Sequence, residues 1–141
     1  MFVDASAIVA VLNEEAGQSA LVKRLDNAAR RPVISPVVRF EAILGLARAI
    51  AGKKRVAADA GTISDARRLV DEFIEVIGAE EIAITIEIGD RAIEAAMIYG
   101  KVVAHPARLN FGDCFAYACA KSLAVPLLYK GDDFARTDLA G

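Results

Sequence analysis

Four short apolar runs constrain the fold of this chain more than any other feature. They are Met1 to Asp4, Arg31-Pro-Val-Ile-Ser-Pro36, Glu81-Ile-Ala-Ile84 and Val125-Pro-Leu-Leu-Tyr129. Each is too short for a helix and reads as a buried strand. Between them, apolar residues recur at helical spacing. Ala5 to Leu12 and Glu14 to Arg31 form the first helical pair. Pro36 to Ala51 (Phe40, Ile43, Leu44, Ala47, Ile50) and Thr62 to Ile77 (Ala66, Leu69, Val70, Phe73) form the second. Ile86 to Tyr99 and the helix that Asn110 opens form the third. Strands separated by helix pairs predict an α/β sandwich around a mostly parallel sheet of four to five strands, with Ala135 to Gly141 at most a last edge strand. No repeat, low-complexity tract or linker divides the chain, so residues 1–141 are expected to be a single domain.

The hydrophobic fraction is 55% and the mean hydropathy +0.38, high for a soluble domain. The apolar residues lie along amphipathic segments, which points to a partner surface rather than a membrane. The run Ala7 to Leu12 is far short of the ~20 residues a spanning helix needs. Asp4 stands where a secretory leader would be basic, so the expected location is cytoplasmic. A net charge of −2 argues against a generally basic nucleic-acid binder, but a nuclease whose site must be acidic remains open. The basic groups Arg30-Arg31, Lys53-Lys54-Arg55 and Arg67-Arg68 read first as solvated helix ends or faces. Cys114 and Cys119 share one helix at a spacing unsuited to pairing and read as buried thiols. With one histidine, His105, no Cys/His zinc site can be assembled.

The chemistry resides in the carboxylates. Asn110 is a good N-cap and Asp113 falls at the third helical position, a capping-box pattern. Phe111, Cys114, Phe115, Ala118 and Cys119 would form the buried stripe of that helix. Asp4 ends the first strand or caps the helix after it, and Ser6 could reach the same point. Asp132 and Asp133 lie in the turn after the last main strand and suit a turn as such. Glu41 is different. It sits inside a helix, beside the apolar stripe, where neither capping nor the helix dipole explains it. Its simplest structural explanation is a surface pair with Arg39 or Arg48. In a parallel α/β fold, ligands bind beyond the carboxyl ends of strands, where Asp4 and Asp133 lie and which the helices of Glu41 and Asp113 can approach. Two carboxylates ~4 Å apart repel by ~4 kcal/mol at an effective dielectric near 20, so such a cluster takes up protons or binds cations. Oxygen ligands without His or Cys suit Mg²⁺ or Mn²⁺, and the matching chemistry is metal-assisted phosphodiester hydrolysis.

The segments Val3-Asp-Ala-Ser-Ala-Ile-Val-Ala-Val-Leu12, Glu41 in its helix, Leu109-Asn-Phe-Gly-Asp-Cys-Phe-Ala-Tyr-Ala-Cys-Ala-Lys121 and Leu127-Leu-Tyr-Lys-Gly-Asp-Asp-Phe-Ala-Arg-Thr-Asp138 together resemble PIN-domain proteins, and among them the VapC-type toxins of toxin–antitoxin pairs. The resemblance spans nearly the whole chain. It implies a PIN-like α/β/α sandwich and a Mg²⁺- or Mn²⁺-dependent endoribonuclease acting on RNA. It also implies a homodimer held inactive by a VapB-type antitoxin in a larger complex, with DNA bound only through the antitoxin. By position, Asp4, Glu41 and Asp113 match the acidic triad and Asp133 the fourth acid. Ser6 and Thr137 match hydroxyl residues near the metal. Asp132 stands where relatives often carry Asn, so the fourth-acid role could be shared. Two alternatives are a catalytically silent PIN-fold binding module and a receiver-type phosphoacceptor domain. The latter lacks its acidic pair after the first strand and its acceptor after a middle strand, where Thr85-Ile-Glu87 follows Ile84.

Overall fold

The computed structural model describes residues 1–139. Strand β1 (Phe2–Val3) leads into helix α1 (Ala5–Leu12) and then α2 (Gln18–Asp26). Strand β2 (Val33–Ile34) is followed by α3 (Pro36–Lys53) and α4 (Ala60–Val76), and β3 (Glu80–Glu81) by α5 (Ile86–Tyr99). A 3-10 turn (Lys101–Val103) precedes α6 (Phe111–Leu123), then come β4 (Leu127–Leu128) and a second 3-10 turn (Phe134–Arg136). The four strands form one sheet in the order β3-β2-β1-β4, and every pairing is parallel. The alternation of short apolar runs with helix pairs is thus the α/β architecture expected.

Local chemistry explains where the helices begin. Ser35 caps α3 by accepting from the Val38 N–H, with Pro36 in the first turn where its missing N–H costs nothing. Asp59 and Thr62 form a capping box on α4, and Thr85 caps α5 through the Ile88 N–H. Helix α5 ends at Gly100, as its sequence suggests, and a side chain there would collide with the Ala96 carbonyl. The core is the sheet and what covers it. Phe2, Val3, Ile34 and Leu128 are fully buried, with Ile8 from α1, Val38 and Leu46 from α3, Val70 from α4 and Cys119 from α6 packed around them. Both cysteines are buried and free.

Several boundaries differ from the sequence expectation. The third strand pairs through Glu80 and Glu81 rather than the alternating Glu81 to Ile84. The β2 register fixes the choice, since Val33 and Ile34 sit opposite the two glutamates. It is an exposed edge strand, so polar side chains there meet water and no rule of burial opposes them. Helix α2 is half the length expected: Gly17 adopts a left-handed conformation (φ 85°) just before it, and Asn27 ends it after Asp26. Of the expected last edge strand, residues 135–139 form none, and residues 140–141 lie outside those described. Two aromatic residues assigned to buried stripes are exposed: Phe40 by 63% and Phe111 by 72%. On α3 the buried set is Val38, Ala42, Ile43, Leu46, Ala47 and Ala51, a face rotated away from Phe40. On α6, Phe111 turns out beside a groove against α5 and rests on Phe115, ring centroids 5.0 Å apart.

A candidate acidic active site

The carboxyl end of β1 sets the first acid. The Asp4 N–H donates to the Leu128 carbonyl of β4 at 2.9 Å, which fixes the strand end. The Asp4 side chain then caps α1, accepting from the Ser6 N–H at 2.9 Å and the Ser6 hydroxyl at 2.5 Å. Ser6 in turn accepts from the Lys130 N–H at 3.0 Å, so one hydroxyl joins the ends of β1 and β4. Asp4 is only 3% exposed, rare for a carboxylate without a cationic partner.

The Asn110 capping box is present in full. Its side chain accepts from the Asp113 N–H at 3.0 Å, and Asp113 Oδ2 accepts from the Asn110 N–H at 2.8 Å. Glu41 reaches across from α3 to this turn and lies against Gly112. Any Cβ at position 112 would run into its carboxylate. Asp133 stands in the turn after β4, directly before the second 3-10 turn. Asp4, Ser6, Glu41, Asp113 and Asp133 all line one cleft of about 480 Å³.

The electrostatics are those of crowded anions. Burial raises the Glu41 carboxyl to about 7, the charges of Asp4 and Asp113 push the same way, and Arg48 opposes weakly. Burial also lifts Asp113 to about 6 against the lowering effect of the Asn110 N–H, with Asp4 and Asp133 adding to the rise. Asp4 is raised too, chiefly by burial, despite its hydrogen bonds to Ser6. Among the described residues, no three Asp, Glu, His or Cys side chains converge closely enough to enclose a cation as they stand. Two of them are occupied locally: Asp4 faces Ser6, and Asp113 commits one oxygen to Asn110. The donor set of four carboxylates and a hydroxyl, with no thiolate or imidazole, is still the kind a hard divalent cation takes.

Other candidates lie elsewhere. Asp132 is exposed and does not line the cleft. Thr137 is buried, donating to the Phe134 carbonyl at 2.8 Å and accepting from the Leu139 N–H at 3.2 Å, which pins the 3-10 turn following Asp133. His105 accepts from the Ala107 N–H at 3.0 Å and meets Tyr99 edge-on, holding its own loop. The surface pair considered for Glu41 does not form. Arg39 makes a two-pronged contact with Asp71 instead, at 2.7 and 2.8 Å. Glu15, Arg48, Asn110 and Lys130 also line the cleft. Of these, Arg48 had a signal available: it lies two helical turns from Glu41 on the same stripe of α3.

Residues 1–139 match the PIN domain family. A VapC ribonuclease of Rhizobium meliloti is 51% identical over 139 residues, covering 98% of each chain. The chain belongs to the VapC group of PIN-domain proteins. Ribonuclease VapC42 of Mycobacterium tuberculosis is 36% identical over 99% of this VapC-type chain and 96% of its own. The sarcin–ricin loop cleaving toxin VapC20 of the same organism shares the fold, with a TM-score of 0.62 over 95% of this chain and 92% of that one, at 18% identity. This kinship displaces the receiver-type reading.

Proposed function

We propose that this VapC-type PIN domain is the endoribonuclease toxin of a toxin–antitoxin pair. In this reading it depends on Mg²⁺ or Mn²⁺ and is silenced by a VapB-type antitoxin. Kinship to VapC ribonucleases supports the ribonuclease reading. The observation that carries the metal dependence is the meeting of Asp4, Glu41, Asp113 and Asp133 in one cleft with carboxyls driven upward by burial and mutual repulsion. Protons are one way to relieve that repulsion; a cation is the other.

Asp4, Glu41 and Asp113 would hold the ion, and Asp133 would orient the attacking water or help hold a second ion. When bound, such an ion activates water and neutralises charge on the phosphate. Ser6 holds the Asp4 carboxylate in place, and Asn110 aims Asp113. The water oxygen forms the new bond to phosphorus as the bond to the ribose 3′-oxygen breaks, leaving a 5′-phosphate and a 3′-hydroxyl. One domain over residues 1–141 would suffice for this chemistry.

Association with partners is supported by exposed apolar side chains on α5 and around it: Ile93, Met97, Val102 and Phe111. Ile93, Val102 and Phe111 border a groove of about 770 Å³ between α5 and α6. A second copy and the antitoxin are the partners proposed, with DNA reached only through the antitoxin. The proposed location is the cytoplasm, where RNA and antitoxin would be met; no described helix is long and apolar enough to cross a membrane.

The test is cleavage of tRNA, rRNA and mRNA by purified protein with Mg²⁺ or Mn²⁺, with chelator, and with stoichiometric VapB-type antitoxin. Asp113→Asn is expected to cut at least ~100-fold more slowly, the usual scale for losing a group that stabilises the transition state. Equal cleavage by the variant would remove Asp113 from the site. Metal binding without cleavage of any RNA would favour a silent binding module.

A further inference from the structure

Helix α3 carries Glu41 into the cleft, and the same stripe continues through Gly45, Arg48 and Gly52. Glu41, Gly45 and Arg48 all line the cleft. Gly45 packs closely on Val9 of α1 and Gly52 faces open space, so along this stripe an acid stands at one end and a guanidinium about 10 Å further along the axis. Arg48 is exposed, although the cleft it borders holds four acids and Glu15. None of the ion pairs among the described residues uses it, nor Lys53, Lys54 or Arg55 beyond it. The other cation of the cleft is committed: the Lys130 ammonium donates to the Ala16 carbonyl and ties β4 to the loop before α2. Arg48 is therefore the cation of the cleft with no bonded partner among the described residues. An Arg held there to neutralise Glu41 would be expected to pair with it, and among the described residues Arg48 makes no ion pair with Glu41 or any other acid of the cleft.

We propose that Arg48 is a substrate-positioning residue that grips an RNA phosphate beside the scissile one, with the strand running along the Glu41–Arg48 stripe towards the exposed Lys53-Lys54-Arg55 end of α3. A planar, always-charged fork suits a phosphate, and neutralising phosphates is what makes such binding salt-dependent. This rests on the nuclease reading above, and the experiment separates the two. Binding of a single-stranded RNA oligonucleotide is measured with the Asp113→Asn protein across a salt series, with and without Arg48→Gln. Cleavage of the same RNA is followed in the protein with Asp113 intact.

Arg48→Gln is expected to weaken binding about tenfold and to lower the slope of log affinity against log salt by ~0.7, one phosphate contact. In cleavage it should raise KM by a similar factor while kcat stays within about twofold, and Arg48→Lys should keep the salt slope. An unchanged slope, or a fall in kcat at constant KM, would overturn the proposal, the latter by showing that Arg48 acts through Glu41. No cleavage by the protein with Asp113 intact would overturn the nuclease reading alone, because the binding series reads Arg48 without turnover.

Discussion

A methyl group added at Gly112 would land on the Glu41 carboxylate, which is the free end of a flexible side chain. The position is buried and helical, where Ala is preferred to Gly by about 0.5–1 kcal/mol. The two effects have different readouts. Gly112→Ala is expected to hold or slightly raise Tm while cleavage falls by at least ~10-fold, because Glu41 must swing out of its place. A variant that loses both stability and activity would mean that the backbone, not Glu41, had yielded. The residue scale is also where the sequence was easiest and hardest to read. Glu41 was legible because no cap or dipole explains a carboxylate in mid-helix. Thr137 was not, because its matching position says nothing of a hydroxyl that spends itself on Phe134 and Leu139. Nor were Phe40 and Phe111: helical spacing finds a stripe but cannot say whether water, a groove or the core lies beside it.

At the level of the element, the start of α6 serves two purposes. Asn110 and Asp113 satisfy each other's backbone N–H groups, so the helix start is fixed and Asp113 is aimed by the same bonds. Asn110→Ala removes the cap acceptor while Asp113 keeps its bond to the position-110 N–H. The expected loss is ~1 kcal/mol of stability, roughly 3–5 °C in Tm for a chain of this size. Cleavage should fall less than in Gly112→Ala, since Glu41 is untouched. Thermal melts of the two variants together give the comparison. The capping pattern was legible because its chemistry is local: four consecutive residues carry it. The third strand was misplaced for the opposite reason. Its pairing is chosen by Val33 and Ile34, some fifty residues away, and an exposed edge leaves no alternation of burial to read.

Across the whole molecule, the raised carboxyls make stability depend on pH and, in the proposed reading, on cations as well. Glu41 at about 7 and Asp113 at about 6 hold protons more tightly in the folded chain than in the unfolded one, where they titrate near 4. Their contribution is therefore fully present in acid below the unfolded values and declines as pH rises through the folded ones. Asp71 and Asp138, held down chiefly by their side-chain bonds to Arg39 and Lys121, have the opposite sign, and their contribution is lost only at lower pH. In chelator, Tm is expected to fall between about pH 5 and about pH 8 by roughly 3–5 °C, about 1 kcal/mol after allowance for solvent screening. Mg²⁺ or Mn²⁺ should restore it at the higher pH and do little at the lower. A cation effect equal at both would detach the ion from these acids. The order of the strands has one more consequence, which concerns how the protein is made. β1 is synthesised first yet lies between β2 and β4, and the Asp4 N–H finds its partner only on Leu128. A ribosome has to pass Leu128 before the cleft can close. Until then the growing polypeptide carries three of the four acids, and the strand that anchors the first of them is still to come.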